Sequence, residues 1–187
     1  MQGTEDGENA GQAEQGDGHV APGATESSIL VTQSNLAALY DMLGRKENAL
    51  KMSLDVYSVF LKIRGEEDFK TLQAANNYAD FLDRQGHFEE AKALLRRIMP
   101  VARRVLGKGH GLTLKMRLVY ADALYRDDGA TLDDLREAVT TLEEAERIAR
   151  RVLGGTHPTT EGIEDELRSA RVVLAARETP SPPSEIV

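Results

Sequence analysis

The strongest constraint on this chain is a motif that occurs twice, 47 positions apart. Residues 101–107 read Val-Ala-Arg-Arg-Val-Leu-Gly and residues 148–154 read Ile-Ala-Arg-Arg-Val-Leu-Gly, each followed by His and Thr at the same offsets. Shorter motifs, Tyr-Ala-Asp and Asn-x-Ala, recur after 42 positions. Self-similarity at such a period indicates stacked copies of one supersecondary unit. Arrays of this kind are typically binding surfaces rather than enzymes.

The composition favours helices as that unit. The chain has 187 residues, 41% of them hydrophobic but only 5% aromatic, so its core must consist mainly of Leu, Ala, Val and Ile. Such side chains suit close helix packing, and no alternating run of β-branched residues indicates a strand. The sequence therefore predicts one all-α domain of modest size.

Charge and cysteine content narrow the functional class. The net charge of −8 comes from the two ends, because residues 29–177 contain 23 basic and 23 acidic side chains. A neutral domain has no bulk attraction for nucleic acid or an anionic membrane, and neither is expected as a partner. With no cysteine, no apolar run of about 18 residues and no secretory signal pattern, we expect a cytoplasmic protein.

The two ends are predicted to lie outside the folded domain. Residues 1–27 are acidic and poor in large apolar side chains, so we expect a disordered tail there. Residues 179–187 form a second expected disordered tail, rich in proline. Its last three residues, Glu-Ile-Val, match a weak ligand pattern for β-augmenting domains, although an unused tail is the favoured interpretation.

Between the tails, apolar spacing and turn residues predict seven helices. They cover approximately residues 28–43, 46–63, 68–84, 88–106, 112–126, 132–153 and 158–178. In the first helix, Leu36, Leu39, Tyr40 and Leu43 form the stripe predicted to face the core. Thr131, with Asp134 three residues on, is predicted to form a capping box that starts the sixth helix.

The repeated unit resembles the tetratricopeptide repeat in its 42-residue kinesin light chain form. The resemblance rests on Asn76-Asn-Tyr-Ala79, Gly86-His-Phe-Glu-Glu-Ala91 and Leu153-Gly-Gly-Thr-His-Pro-Thr-Thr160. It implies a right-handed α-solenoid of three helix pairs, at about 29–70, 71–112 and 113–159, followed by a closing helix at 158–178. In such a unit, paired alanines such as Ala79 and Ala91 let the two helices approach closely.

The resemblance also implies where ligands bind, because the first helix of each tetratricopeptide pair lines a concave groove. The positions carried over as a peptide-binding groove are Asn35, Gln73, Asn76, Asn77, Asp80, Arg84, Lys115, Asp122, Tyr125 and Arg126. The expected function is that of a non-enzymatic, monomeric adaptor or scaffold that binds a peptide or helix of a partner protein. No coiled-coil heptads are present, so motor-linked transport is not implied.

Several alternatives remain open. Asn35, Asn77 and Lys115 match part of the carboxylate clamp with which related co-chaperones bind acidic carboxy-terminal tails, but Val31 and Val119 stand at two further basic positions of that clamp. The two asparagines could instead only satisfy neighbouring helix groups. The chain could also be a self-associating structural segment, or a fragment of a larger array.

Catalysis and metal binding are not predicted. His110 and His157 occupy the same repeat position in loops, and no His-x-x-x-His pair occurs. Helix capping or loop packing is the favoured interpretation of these histidines over metal ligation. No nucleophile and base are placed together, so we expect no enzyme, cofactor or metal.

Overall fold

The computed structural model describes residues 22–179, with side chains from residue 28 onward. This part of the chain contains seven helices and no strand, which confirms the all-α prediction. The helices are α1 (Pro22–Met42), α2 (Lys46–Arg64), α3 (Phe69–Arg84), α4 (Phe88–Val105), α5 (Gly111–Tyr125), α6 (Leu132–Val152) and α7 (Pro158–Glu178).

The helices stack as successive antiparallel pairs. Each helix packs against the next along the chain, and α5 also packs against both α3 and α7. The first helices of the units therefore form one layer, and α2, α4 and α6 form the other. This is the two-layer arrangement of an α-solenoid, in which each unit covers the apolar face of its neighbour.

Small side chains set the distance between paired helices. Ala79 in α3 and Ala91 in α4 are fully buried, as are their counterparts Ala121 and Ala138 in the next pair. In the first pair, Ala37 and Ala49 pack together with Phe81. A larger residue at these contacts would push the helix backbones apart.

The connections between units use one repeated cap. Asp68, His110 and His157 occupy the same repeat position, and each side chain accepts a hydrogen bond from the backbone N–H two residues on. The His110 and His157 Nδ1 atoms lie 3.2 and 3.1 Å from their donors. The capping interpretation of these two histidines is therefore confirmed. Within units, Gly86 has a φ of 82°, a left-handed conformation that suits glycine at the tight turn.

The third unit departs from the first two at its second helix. The capping box of Thr131 and Asp134 forms as predicted and fixes the start of α6. This helix has 21 residues, compared with 18 in α4. Pro100 lies inside α4, which continues through it, and its side chain is exposed as its polar counterparts in other repeats indicate.

The structure corrects the prediction for α1. This helix begins at Pro22, so residues 22–27 of the predicted tail are helical. The prediction that Leu36, Leu39 and Leu43 face the core is wrong, because their side chains are 38%, 53% and 72% exposed. The helix instead buries the adjacent face that carries Leu30, because no earlier unit within the described residues covers the leucine stripe. The remainder of the predicted tails, including Glu-Ile-Val, lies outside the described residues.

The described part of the chain contains neither a membrane-spanning helix nor a metal-binding cluster. Among the helices at residues 22–179, none is long and apolar enough to cross a bilayer. The same residues contain no cluster of three or more acidic or histidine side chains arranged to hold a metal ion.

Replacement of Ala79 by leucine tests the close approach of paired helices. Because Ala79 is fully buried, we expect Ala79→Leu to lower the free energy of unfolding by about 1–3 kcal/mol. Ala93→Leu is the matched control, since Ala93 is exposed on α4. Urea unfolding followed by circular dichroism measures both. Equal stability of the two variants would contradict the packing argument.

Candidate functional site

Polar side chains of α1 and α3 surround a small cavity on the predicted groove. It has a volume of about 180 Å³, and its polar walls include Asn35, Gln73 and Asn77. Ser34 and Lys70 contribute further polar groups, and Val31 and Phe60 contribute apolar ones. The structure therefore brings together three of the residues that the sequence predicted for peptide binding.

The amide groups at this cavity are not used by the fold. Asn35 and Gln73 are exposed and Asn77 is half-buried. Within residues 28–179, none of these three side chains forms a hydrogen bond. The alternative in which Asn35 and Asn77 satisfy neighbouring helix groups therefore has no hydrogen bond to support it. Their donors and acceptors remain available for a ligand.

Two other predicted groove residues have different environments. Asn76 is only 7% exposed, and its Oδ1 atom is buried without a hydrogen-bond partner. The structure thus places Asn76 in the helix packing rather than on the groove surface. Lys115, one unit further along, is exposed and has no ion-pair partner among the described residues.

The carboxyl ends of the first helices carry a second polar group, which we call the polar ladder. Its members are Asp41, Asp80, Asp83, Arg84, Asp122, Tyr125, Arg126 and Glu166. Arg84 of α3 binds Asp41 of α1 at 3.0 Å, and Arg126, directly after α5, binds Asp83 of α3 at 2.7 Å. The ladder continues to α7, where Glu166 accepts a hydrogen bond from the Tyr125 hydroxyl.

The ladder changes the interpretation of four predicted groove residues. Asp80 binds Arg84 within α3, whereas Arg84 and Arg126 bind side chains of the preceding unit and Tyr125 binds one of the next. Their polar groups therefore connect successive first helices, whether or not a ligand also contacts them. Sequence analysis missed Glu166, although α7 was predicted and this residue lies 41 positions after Tyr125, close to the repeat length.

Burial makes two ladder carboxyls, those of Asp83 and Asp122, difficult to ionise. Desolvation raises the pKa of Asp83 to about 6, although the Arg126 guanidinium opposes the shift. The pKa of Asp122 rises to about 8, because of its burial and then the nearby charges of Glu166 and Asp83. Asp122 therefore holds a proton near neutral pH, which limits charge repulsion among these three carboxyls.

The raised pKa of Asp122 predicts a pH-dependent stability. Since the folded state binds this proton more tightly than the unfolded state, the contribution is present below the unfolded pKa near 3.8 and is lost as pH rises through about 8. Asp122→Asn keeps the shape without the charge, so its melting temperature should rise relative to wild type between pH 6 and 9, by roughly 2–4 °C for each kcal/mol recovered.

Asp55→Asn, an exposed carboxylate on α2, is the matched control for this pH series. Its melting temperature should follow that of the wild type across the range. Parallel pH profiles for Asp122→Asn and wild type, measured by scanning calorimetry, would show that Asp122 does not titrate in this way.

Comparisons with known proteins agree with this architecture. The tetratricopeptide repeat family model matches residues 71–111, which form the second repeat. A comparison with curated protein sequences gives no significant match. Members of the matched family are generally non-enzymatic and mediate protein interactions.

Solved structures extend the likeness to nearly the whole array. Two crystal structures of kinesin light chain nearly identical TPR-like repeats from Podosopora anserina match at 25% identity, with TM-scores of 0.70 and 0.68. These matches cover 79% and 84% of this chain, and 68% and 80% of the others. BtubC from P. vanneervenii shares the fold at 16% identity, with a TM-score of 0.51 and coverage of 84% and 68%. Residues 71–111 therefore form a tetratricopeptide repeat, and the described helices form an all-α solenoid similar to the TPR-like repeats of those kinesin light chain structures.

Proposed function

We propose that this protein is a non-enzymatic adaptor that holds a segment of a partner protein in the groove of its first helices. The main support is the cavity between α1 and α3, where Asn35, Gln73 and Asn77 converge with no hydrogen bonds to the fold. An interaction or scaffold role is also what the repeat family suggests.

The chemistry of the cavity favours an extended peptide backbone as the ligand. Each amide offers two donors and one acceptor, so it can bind a peptide group whatever the side chain of the partner. The volume of about 180 Å³ suits a short stretch of chain rather than a buried small molecule. Lys115 is exposed one unit further on and can meet a carboxylate of the same ligand.

A carboxylate clamp for acidic carboxy-terminal tails receives less support. Two of its basic positions are Val31, which lines the cavity, and Val119, which is 8% exposed. We therefore propose backbone recognition rather than recognition of a terminal carboxylate. We expect neither nucleic acid nor membrane as a partner, and we expect no cofactor. Because cysteine is absent, the cytoplasm remains the proposed location.

One observation favours a different function, self-association. The outer stripe of α1 exposes several apolar side chains that an additional repeat would cover. They are Ile29, Leu36, Leu39, Met42 and Leu43, with exposures of 53%, 38%, 53%, 82% and 72%. A structural segment that stacks on a second copy, or on further repeats, is therefore the second candidate.

The adaptor function predicts that the groove amides select the bound proteins. A pull-down with the Asn35→Ala/Asn77→Ala variant should lose proteins that the wild type captures, because the hydrogen bonds to their backbones are removed. Asn48→Ala is the matched control, since Asn48 is exposed at the start of α2. If the captured set is the same for all three proteins, the groove is not the binding site.

Light scattering separates the two candidate functions. An adaptor should keep the mass of one chain as its concentration rises, whereas the measured mass of a stacking segment should increase. If growth is observed, Leu39→Glu/Leu43→Glu should abolish it, because charge on the exposed stripe opposes apolar contact. If the mass rises with concentration and these substitutions prevent the rise, the protein is a self-associating segment rather than a monomeric adaptor.

A further inference from the structure

A second cleft lies between α4 and α6, above α5, and we call it the α4–α6 cleft. It consists of two adjoining cavities of about 640 and 350 Å³, which share Arg103, Arg117 and Glu144. Seven cationic side chains line the two cavities, against two acidic ones. In a folded domain with equal numbers of basic and acidic residues, this is a strong local excess of positive charge.

The α4–α6 cleft is separate from the groove of the proposed function. Arg117 and Tyr120 of α5 form its floor. At about 100° per residue, they lie on the opposite side of α5 from Lys115 and Asp122. A ligand in this cleft would contact the second helices, so the inference does not depend on the amide cavity.

The next cleft along the array, between α6 and α7, shows how this charge is normally neutralised. There, Arg150 binds Glu146 at 2.6 Å and Glu164 at 3.0 Å. Residues 47 positions apart occupy equivalent places, so Arg150 corresponds to Arg103 of the α4–α6 cleft. The counterparts of the two glutamates are Met99 and Arg117. The α4–α6 cleft therefore keeps the arginine and replaces both of its acidic partners.

The unneutralised charge is concentrated in four side chains. Arg103, Lys108, Arg147 and Arg151 line the smaller cavity, and none has a carboxylate partner among residues 28–179. Arg117 is different, because its side chain is only 14% exposed and binds Glu144 at 3.2 Å. Arg147 and Arg151 lie one turn apart on α6 and Arg103 lies across the cleft on α4, so the cations are set along both walls.

We propose that the α4–α6 cleft binds an acidic peptide segment of a partner protein. Carboxylates of the peptide take the places that Glu146 and Glu164 fill in the neighbouring cleft, and they accept charge-assisted hydrogen bonds from Arg103 and Arg147. Met99 and Pro100 supply apolar wall against which the stems of the peptide side chains pack. The peptide in this way supplies the carboxylate partners that the arginines of the α4–α6 cleft lack.

The distribution of groups favours a peptide over nucleic acid. Glu137 and Glu144 interrupt the positive surface and would repel a continuous phosphate backbone. The aromatic ring in the lining, Tyr120, is 3% exposed and cannot stack on a base. Separated carboxylates on a peptide can avoid the two glutamates, whereas evenly spaced phosphates cannot.

Fluorescence anisotropy with a labelled probe tests this assignment. The probe is a fluorescein-labelled dodecapeptide with alternating Glu and Ala, and the same peptide with Gln for Glu is its control. The full chain should bind the Glu peptide, and Arg103→Gln/Arg147→Gln should weaken binding by about tenfold through the loss of two charge-assisted contacts. Neither arginine has an ion pair in the fold, so the melting temperature of this variant should match that of the wild type.

Two matched variants locate the binding. Arg45→Gln/Lys51→Gln removes the same charge from exposed, unpaired positions of the first unit and should leave the affinity unchanged. Asn35→Ala/Asn77→Ala should keep the preference for the Glu peptide over the Gln peptide, so failure of the groove function and failure of this cleft are distinguishable. Equal loss in the Arg45→Gln/Lys51→Gln variant would overturn the proposal, because the attraction would then be a general charge effect.

Three further outcomes would overturn the proposal. One is equal binding of the Gln peptide, and another is equally tight binding of a thymidine oligonucleotide of the same charge. The third concerns residues 1–21, which carry five acidic side chains and no Lys or Arg. If neutralising those five side chains raised the affinity for the probe by more than about tenfold, this segment rather than a partner would be the occupant.

Discussion

The contact between small residues of paired helices is the constraint on which the structure depends. Ala79 in α3 and Ala91 in α4 are both fully buried, and these two helices pack against each other. This close approach fixes the angle and distance within a pair, and thereby the apolar face that the pair offers to its neighbour. Because the same alanines recur in each unit, one local geometry propagates through the array. The groove and the α4–α6 cleft are both gaps left by this repeated packing.

Equivalent positions on this common frame carry different chemistry. The polar ladder connects successive first helices through pairs such as Arg84 with Asp41, which lie about one repeat apart. On the other face, Arg150 is neutralised by two glutamates, whereas Arg103 at the equivalent place is not. Repetition thus supplies the scaffold, and a departure from it marks the α4–α6 cleft, where binding of an acidic peptide is proposed. The departures are informative because the neighbouring unit serves as an internal reference.

Most of the fold was predictable from the sequence because repeat spacing, glycine turns and caps are local signals. Thr131 with Asp134, and the capping histidines, behave as predicted. The orientation of α1 was not predictable, since its leucine stripe reads as a core face unless one knows that no described unit covers it. For the groove, Asn35 and Asn77 lie together as expected, but periodicity alone could not distinguish the buried Asn76 from its neighbour. The ladder partner Glu166 depends on a contact between helices that are distant in sequence.

The exposed outer stripe of α1 has a consequence for how the array opens. Among its described side chains, α1 buries only Leu30 and Ala37, whereas α5 buries nine residues. A linear array is held by contacts between neighbouring helices. A helix with a neighbour on only one side breaks the fewest contacts when it detaches, so its local opening costs the least free energy. Among the described helices, α1 is therefore the one held by the fewest buried side chains. Its transient release would uncover the inner wall of the amide cavity and couple access to that cavity to fraying at this end.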